Sequence, residues 1–197
     1  MSQMLFVDPV PAEMSLAEWA ALPEDESGEL VDGRLVEEEV PDVVHELCAG
    51  WLIQVFRNWA APRGGVVLGS EVKYALGPRK GRKADVSVFL TRKPNARGPV
   101  SIPPDVMIEI VSPSPRDGRR DRVEKLAEYA GFGVRWYWIL DPQLRSLEIF
   151  ELMPGGKYMH AHGATGGVVG DVPGCEALVL DLDALFAEMD ALEREGE

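Results

Sequence analysis

Apolar residues recur along this chain first at helical and then at strand spacing. Val44, Leu47, Cys48, Trp51, Leu52, Val55, Phe56 and Trp59 fall three or four apart within "VVHELCAGWLIQVFRNWA". That spacing predicts an amphipathic helix with Asp42 as its N-cap and Gly64-Gly65 past its end. Upstream, "SLAEWAALPEDESG" predicts a short helix capped by Ser15, and "GELVDGRLVEEE" alternates around Asp32-Gly33, a β-hairpin signal. Downstream, strands are expected in "GVVLGSEVKYAL", "ADVSVFL" and "DVMIEIV", followed by a helix, "RRDRVEKLAEYAGFG", that stops at its glycines. "VRWYWIL" reads as a strand, "SLEIFEL" and "KYMHAH" as an antiparallel pair, and "LDALFAEMDALERE" as a closing helix. The order predicts a mixed α/β fold, a central sheet flanked by helices with an N-terminal β-hairpin. Without internal repeats or a long linker, the chain is expected to form an N-terminal extension, residues 1–14, and a single domain, residues 15–197.

One position breaks the pattern. In "PPDVMIEIVSPS" the residues Val106, Met107, Ile108, Ile110 and Val111 read as a buried strand, yet Glu109 stands among them. Alternation puts Asp105, Met107, Glu109 and Val111 on one face, opposite Val106, Ile108 and Ile110. A carboxylate there is costly unless it is protonated, paired or bound to a cation.

Composition leaves the class open while charge narrows it. The 197 residues are 46% hydrophobic and 27% charged, enough for an ordinary core, and no apolar stretch reaches the length of a membrane span. The start of the chain lacks the pattern of a secretory signal, and Cys48 and Cys175 lack metal-type spacing, so a reducing cytoplasm is expected. A net charge of −13 argues against non-specific coating of nucleic acid. Its distribution qualifies that: between Arg63 and Arg97 nine basic residues face only Glu71 and Asp85. This basic middle could meet a polyanion, or "GPRKGRK" could be a solvated loop, and charge alone does not separate the two.

Glu109 has companions. Asp85 begins "ADVSVF" and Glu29 begins "ELVDG". Adjacent strands would bring Asp85 and Glu109 close, and carboxylates at close range repel unless a cation lies between them. Mg²⁺ or Mn²⁺ suits such a site, being bound through few carboxylates with positions left for water and phosphate. That chemistry is phosphodiester hydrolysis. Taken singly, Glu29 reads as an ordinary strand-end or ion-paired residue, and Asp85 is evenly balanced between that reading and the functional one.

With "GELVDGRLV", His45 near the helix start, "ADVSVF" and "IEIVSPSPRDGRRDRVEKLAEYAGFGVRWYWILDP" in this order, the chain resembles the Uma-two family of candidate restriction endonucleases, within the PD-(D/E)XK nuclease superfamily. The likeness runs from about Leu16 to the last helix. It implies a restriction-endonuclease-like fold, DNA as substrate, and a divalent metal held by Asp85 and Glu109. Glu29 matches an N-terminal acid that can assist metal binding in that superfamily. Ala84 replaces the proline before the aspartate, and Val111 stands where the motif usually has its lysine.

The following helix offers Lys125, with Asp121 and Tyr129 four residues to either side. The family likeness makes a helical lysine here the candidate for the displaced catalytic one, against the plainer reading of an Asp121–Lys125 pair on a wet helix face. His45 is either a partner of a site carboxylate or a core histidine. Ser112 and Ser114 would contact phosphate or cap the next helix, and His160 and His162 are better read as edge-strand residues than as metal ligands. The expected function is thus a Mg²⁺- or Mn²⁺-dependent endonuclease, working as a homodimer because double-strand cleavage needs two symmetric centres. The alternatives are a nuclease-fold interaction protein without activity, favoured by Val111 and by the strongly acidic ends of the chain, and a hydrolase of another phosphorylated compound.

Overall fold

The computed structural model describes residues 13–23, 26, 28–37, 40–114 and 118–195. The expected N-terminal extension lies outside them but for its last two residues. A six-stranded sheet is built from β3 (Val66–Leu68), β6 (Val86–Phe89), β7 (Val106–Ile110), β8 (Trp136–Asp141), β9 (Ser146–Leu152) and β10 (Tyr158–Ala164), in the order β10-β9-β8-β7-β6-β3. Only β7 and β8 run parallel; the other pairs are antiparallel. A parallel pair needs a crossover, and the segment between them supplies it as a π-helical turn, Arg120–Lys125, continuing into helix α3 (Leu126–Phe132). Gly133, at φ 92, ends that helix with its amide on the Tyr129 carbonyl.

The long amphipathic stretch is helix α2 (Val43–Ala60), with the Asp42 side chain accepting the His45 amide at 2.8 Å. It packs with the last helix, α4 (Leu182–Glu195), over one face of the sheet, burying Leu52, Phe56, Val106, Ile108, Trp138 and Leu185. The opposite face buries Met107, Val111, Tyr129, Tyr137 and Ile139 beneath the crossover helix. Side chains of β7 therefore divide between two cores as strand alternation requires.

A second sheet, of order β2-β1-β5-β4, contains β1 (Glu29–Val31), β2 (Arg34–Val36), β4 (Lys73–Gly77) and β5 (Lys80–Lys83). The β1–β2 hairpin turns at Asp32 and Gly33, with φ of 47° and 82°, the backbone that makes Asp-Gly favourable there. Helix α1 (Leu16–Ala20), closed by a Ser15–Glu18 capping box, lays Trp19 against Gly81 so tightly that a Cβ at position 81 would sit 2.3 Å from the ring. Neither sheet leaves "GPRKGRK" as a solvated loop. The segment is the β4–β5 turn and β5, and Arg82 is fully buried. The solvated-loop reading fails because the acids that match Arg82 come from Glu29 and Glu128, far away in sequence.

Candidate active site

The antiparallel register of β6 and β7 pairs Val86 with Ile108. Continuing it one residue sets Asp85 across from Glu109. The Oδ2 atom of Asp85 accepts the Ile110 amide at 2.7 Å and lies 3.4 Å from His45 Nε2, which α2 delivers from the other side. Burial draws the His45 imidazole down, but Asp85, followed by Glu46 and Asp42, raises it above its ordinary value.

Glu109 is held at both oxygens. Lys125 Nζ donates to Oε2 at 2.7 Å and the Tyr129 hydroxyl to Oε1 at 2.5 Å. Lys125 also lies 3.3 Å from Asp121 Oδ1 and 4.0 Å from Glu29 Oε1. The side chains at 121, 125 and 129 reach one place because their four-residue spacing keeps them on one side of the π turn and the helix that continues it. The Tyr137 hydroxyl braces that turn by donating to the Asp121 carbonyl at 3.0 Å. Lys125 is buried, so the reading of it as half of a solvent-facing i, i+4 pair does not describe this helix.

Electrostatics follow from the crowding. Burial pushes the Glu109 carboxyl well above the usual range; Lys125 opposes the shift, while Asp85, Asp121 and Glu29 add to it. Burial likewise raises Asp121 against the pull of Lys125. For Lys125, burial favours the neutral amine, but Glu109, Glu29 and Asp121 outweigh it and keep the ammonium well above its ordinary value. The site is a charged lysine among more carboxylates than it can neutralise.

Together, Asp85, Glu109, Lys125, Asp121, His45 and Ser112 line one cleft of ≈ 110 Å³. Sequence reasoning missed Glu71, Lys83 and Arg120 on the same walls. Their signal was present only as charges in the basic stretch and in "GRRDR". Tyr129 stands behind the cleft, and so does Glu29, which the family likeness had offered as a metal ligand. Glu29 is wholly buried, with Oε2 on Arg82 Nη1 at 2.6 Å and Oε1 on the Lys83 amide at 3.0 Å. Burial pushes its carboxyl up, yet Lys125, Arg82, Arg120 and the Lys83 amide win and hold it below the usual range. It stands where it can brace Lys125, 4.0 Å from its Nζ. The helix-capping role offered to Ser112 and Ser114 involves residues 115–117, outside the described residues. His160 and His162 sit on β10, away from the cleft, with a register shift between them and His160 edge-on to Phe150.

Among the described residues no three His, Cys, Asp or Glu side chains converge as a ready-made metal cage. The donor set still suits a hard divalent cation. Asp85 and Glu109 both line the cleft, and Mg²⁺ ordinarily takes one or two carboxylates, keeping its other positions for water and phosphate. Positive charge between them would also offset the repulsion by Asp85 that adds to the effect of burial on Glu109.

A family model described as "Putative restriction endonuclease", Uma2, matches residues 15–182. Among solved structures, the fold is similar to one described as the crystal structure of a putative nuclease belonging to DUF820 from Anabaena variabilis ATCC 29413. The TM-score is 0.69 at 21% identity, over 88% of this chain and 98% of that one. This is the mixed, helix-flanked sheet expected of a restriction-endonuclease-like fold. No curated protein matches the chain. Among the described residues, no helix is long and apolar enough to cross a membrane.

Proposed function

The chain belongs to the Uma2 family, described as "Putative restriction endonuclease", and on that premise we propose that it is a divalent-metal-dependent endonuclease that hydrolyses DNA phosphodiester bonds in the cleft lined by Asp85, Glu109 and Lys125. The observation that carries this reading is Lys125 Nζ at 2.7 Å from Glu109, in the cleft that Asp85 also lines. Asp85 and Glu109 would hold Mg²⁺ or Mn²⁺. Bound there, the cation would polarise a phosphoryl oxygen and make the attacking water more acidic.

The protein's own groups prepare that chemistry. The Ile110 amide fixes one oxygen of Asp85 and leaves the other for a ligand. Tyr129 locks the orientation of Glu109, and Lys125 favours its ionised form. The Lys125 ammonium then faces the negative charge that builds on the phosphoryl group as the bond to water forms and the bond to the sugar oxygen breaks. Glu29, anchored by Arg82, holds Lys125 from behind and acts as a positioning residue rather than a metal ligand. The case for an inactive nuclease-fold protein rested on Val111 in place of the motif lysine and on the acidic ends of the chain. A helical ammonium on Glu109 bears on the first ground and supports the enzymatic reading. We propose a homodimer as the form that cuts both strands.

The test is plasmid cleavage with Mn²⁺ by the wild type and by Asp85→Asn. Removing a cation ligand costs several kcal/mol of transition-state stabilisation, so the rate should fall on the order of 10³-fold. The melting temperature should change little, since Asn can still accept the Ile110 amide. An unchanged rate, or no cleavage by the wild type with Mg²⁺ or Mn²⁺, sinks the proposal.

A further inference from the structure

A second, larger depression adjoins the cleft and belongs to none of its chemistry. It has a volume of ≈ 560 Å³ and shares only Glu71 with the cleft. Its floor is apolar, formed by Val66, Leu68 and Val72, and its outer wall is the segment 93–100. That segment, "KPNARGPV", carries Lys93 and Arg97 and no acid, within a chain of net charge −13. Both are exposed, and neither has an ion-pair partner among the described residues.

The segment is held rather than loose. Asp105 accepts the Leu90 amide at 2.6 Å, the Thr91 amide at 3.0 Å and the Thr91 hydroxyl at 2.7 Å. The Asn95 amide group donates to the Arg97 carbonyl at 2.6 Å, and Val100 docks on β4 through reciprocal bonds of 2.8 Å with Lys73 and Ala75. The basic side chains are therefore presented from a preorganised wall, which lowers the entropy cost of binding.

From this geometry we propose that the groove binds an unpaired stretch of the nucleic acid whose phosphodiester enters the cleft, resting on the nuclease reading above. Lys93 and Arg97 take two phosphates, and a base lies on the apolar floor. Charge complementarity selects a polyanion over the remaining, mostly acidic surface. The floor selects a single strand over a duplex, because a duplex keeps its base faces inside its own stack while an unpaired base offers one to an apolar surface. Glu71, the acid at the junction with the cleft, is turned to Lys83 at 3.2 Å, which tempers its repulsion of a passing strand.

The test measures fluorescence anisotropy of a labelled single strand and of the matching duplex with the full chain, in EDTA so that nothing is cut. The single strand should bind about tenfold or more tighter than the duplex. The double substitution Lys93→Ala/Arg97→Ala should lower the slope of log K against log salt by about 1.4, at about 0.7 per single-strand phosphate. Val72→Asp should weaken strand binding while leaving the thermal transition cooperative. Equal affinity for duplex and strand, or an unchanged salt slope, overturns the assignment. So does a dimer that falls to monomers when Lys93 and Arg97 are replaced, since the groove would then join two copies. Plasmid cleavage by the wild type is read separately. If it occurs while the salt slope is unmoved, only the groove falls; if it is absent while the slope moves, the groove stands and the cleavage reading falls.

Discussion

From five consecutive residues of β7, Val106, Ile108 and Ile110 enter an apolar layer under α2 and α4, while Met107 and Glu109 enter one that also holds Lys125 and the hydroxyls of Tyr129 and Tyr137. Both layers are equally dry, with Ile108 0% and Glu109 2% exposed. They differ in what a missing atom costs. In the first, the loss follows the volume removed and the cavity left. In the second, it follows whether a charge is left without its partner, since a buried charge cannot recover its hydration. The first layer stabilises the fold with wide tolerance; the second gives a fixed geometry and is the one that borders the cleft.

The two layers differ most at Lys125. Lys125→Met leaves Glu109 and Asp121 buried without their cation and should cost about 3–5 kcal/mol. Adding Glu109→Gln to that variant should recover part of the loss, because only Asp121 then lacks its cation. Urea unfolding of the single and double variants measures this, and equal stabilities would show that the pair is not coupled. On the apolar side, Ile108→Ala should cost about 2–5 kcal/mol. Its loss should be the same across neutral and mildly acidic pH, whereas a pH-dependent loss would mean that the two layers are not separate.

Glu29 sharpens the contrast through pH. Its folded-state carboxyl is held below the ordinary 4.5, so its contribution to stability is present above 4.5 and is lost as pH falls through the lowered value. In Glu29→Gln, denaturant stability should therefore fall less between pH 5 and the acid transition than in the wild type; parallel curves would count against the Arg82–Glu29–Lys125 arrangement. The smallest effect is expected outside both layers. Arg119 and Glu124 form an ion pair at 3.4 Å with side chains 73% and 41% exposed, and Glu124→Ala should change stability by less than about 0.5 kcal/mol.

The elements around the site were readable because each rests on a local period. The alternation of "DVMIEIV" identified β7 and its misplaced acid, and the four-residue spacing of Asp121, Lys125 and Tyr129 pointed to one side of a helix. Arg82 shows where such reading stops. Locally it belongs to a run of basic residues, and nothing within "GPRKGRK" announces a guanidinium donating at 2.6 Å to Glu128 and at 2.6 Å to Glu29. The π turn was equally hidden, because one extra residue per turn leaves no mark in a short polar segment.

Periodicity among neighbouring residues was enough to place most strands and helices and the anomalous Glu109, though not β5 or the π turn. Only the tertiary structure decided which charges meet. Lys125 reaches Glu109 across 16 residues, and Arg82 reaches Glu29 across 53. Those pairs depend on the parallel crossover from β7 to β8 and on the docking of β1 against β5. Coulomb interactions act through space between whichever groups the packing brings close. The same packing moved Glu29 from the cleft to the back of Lys125.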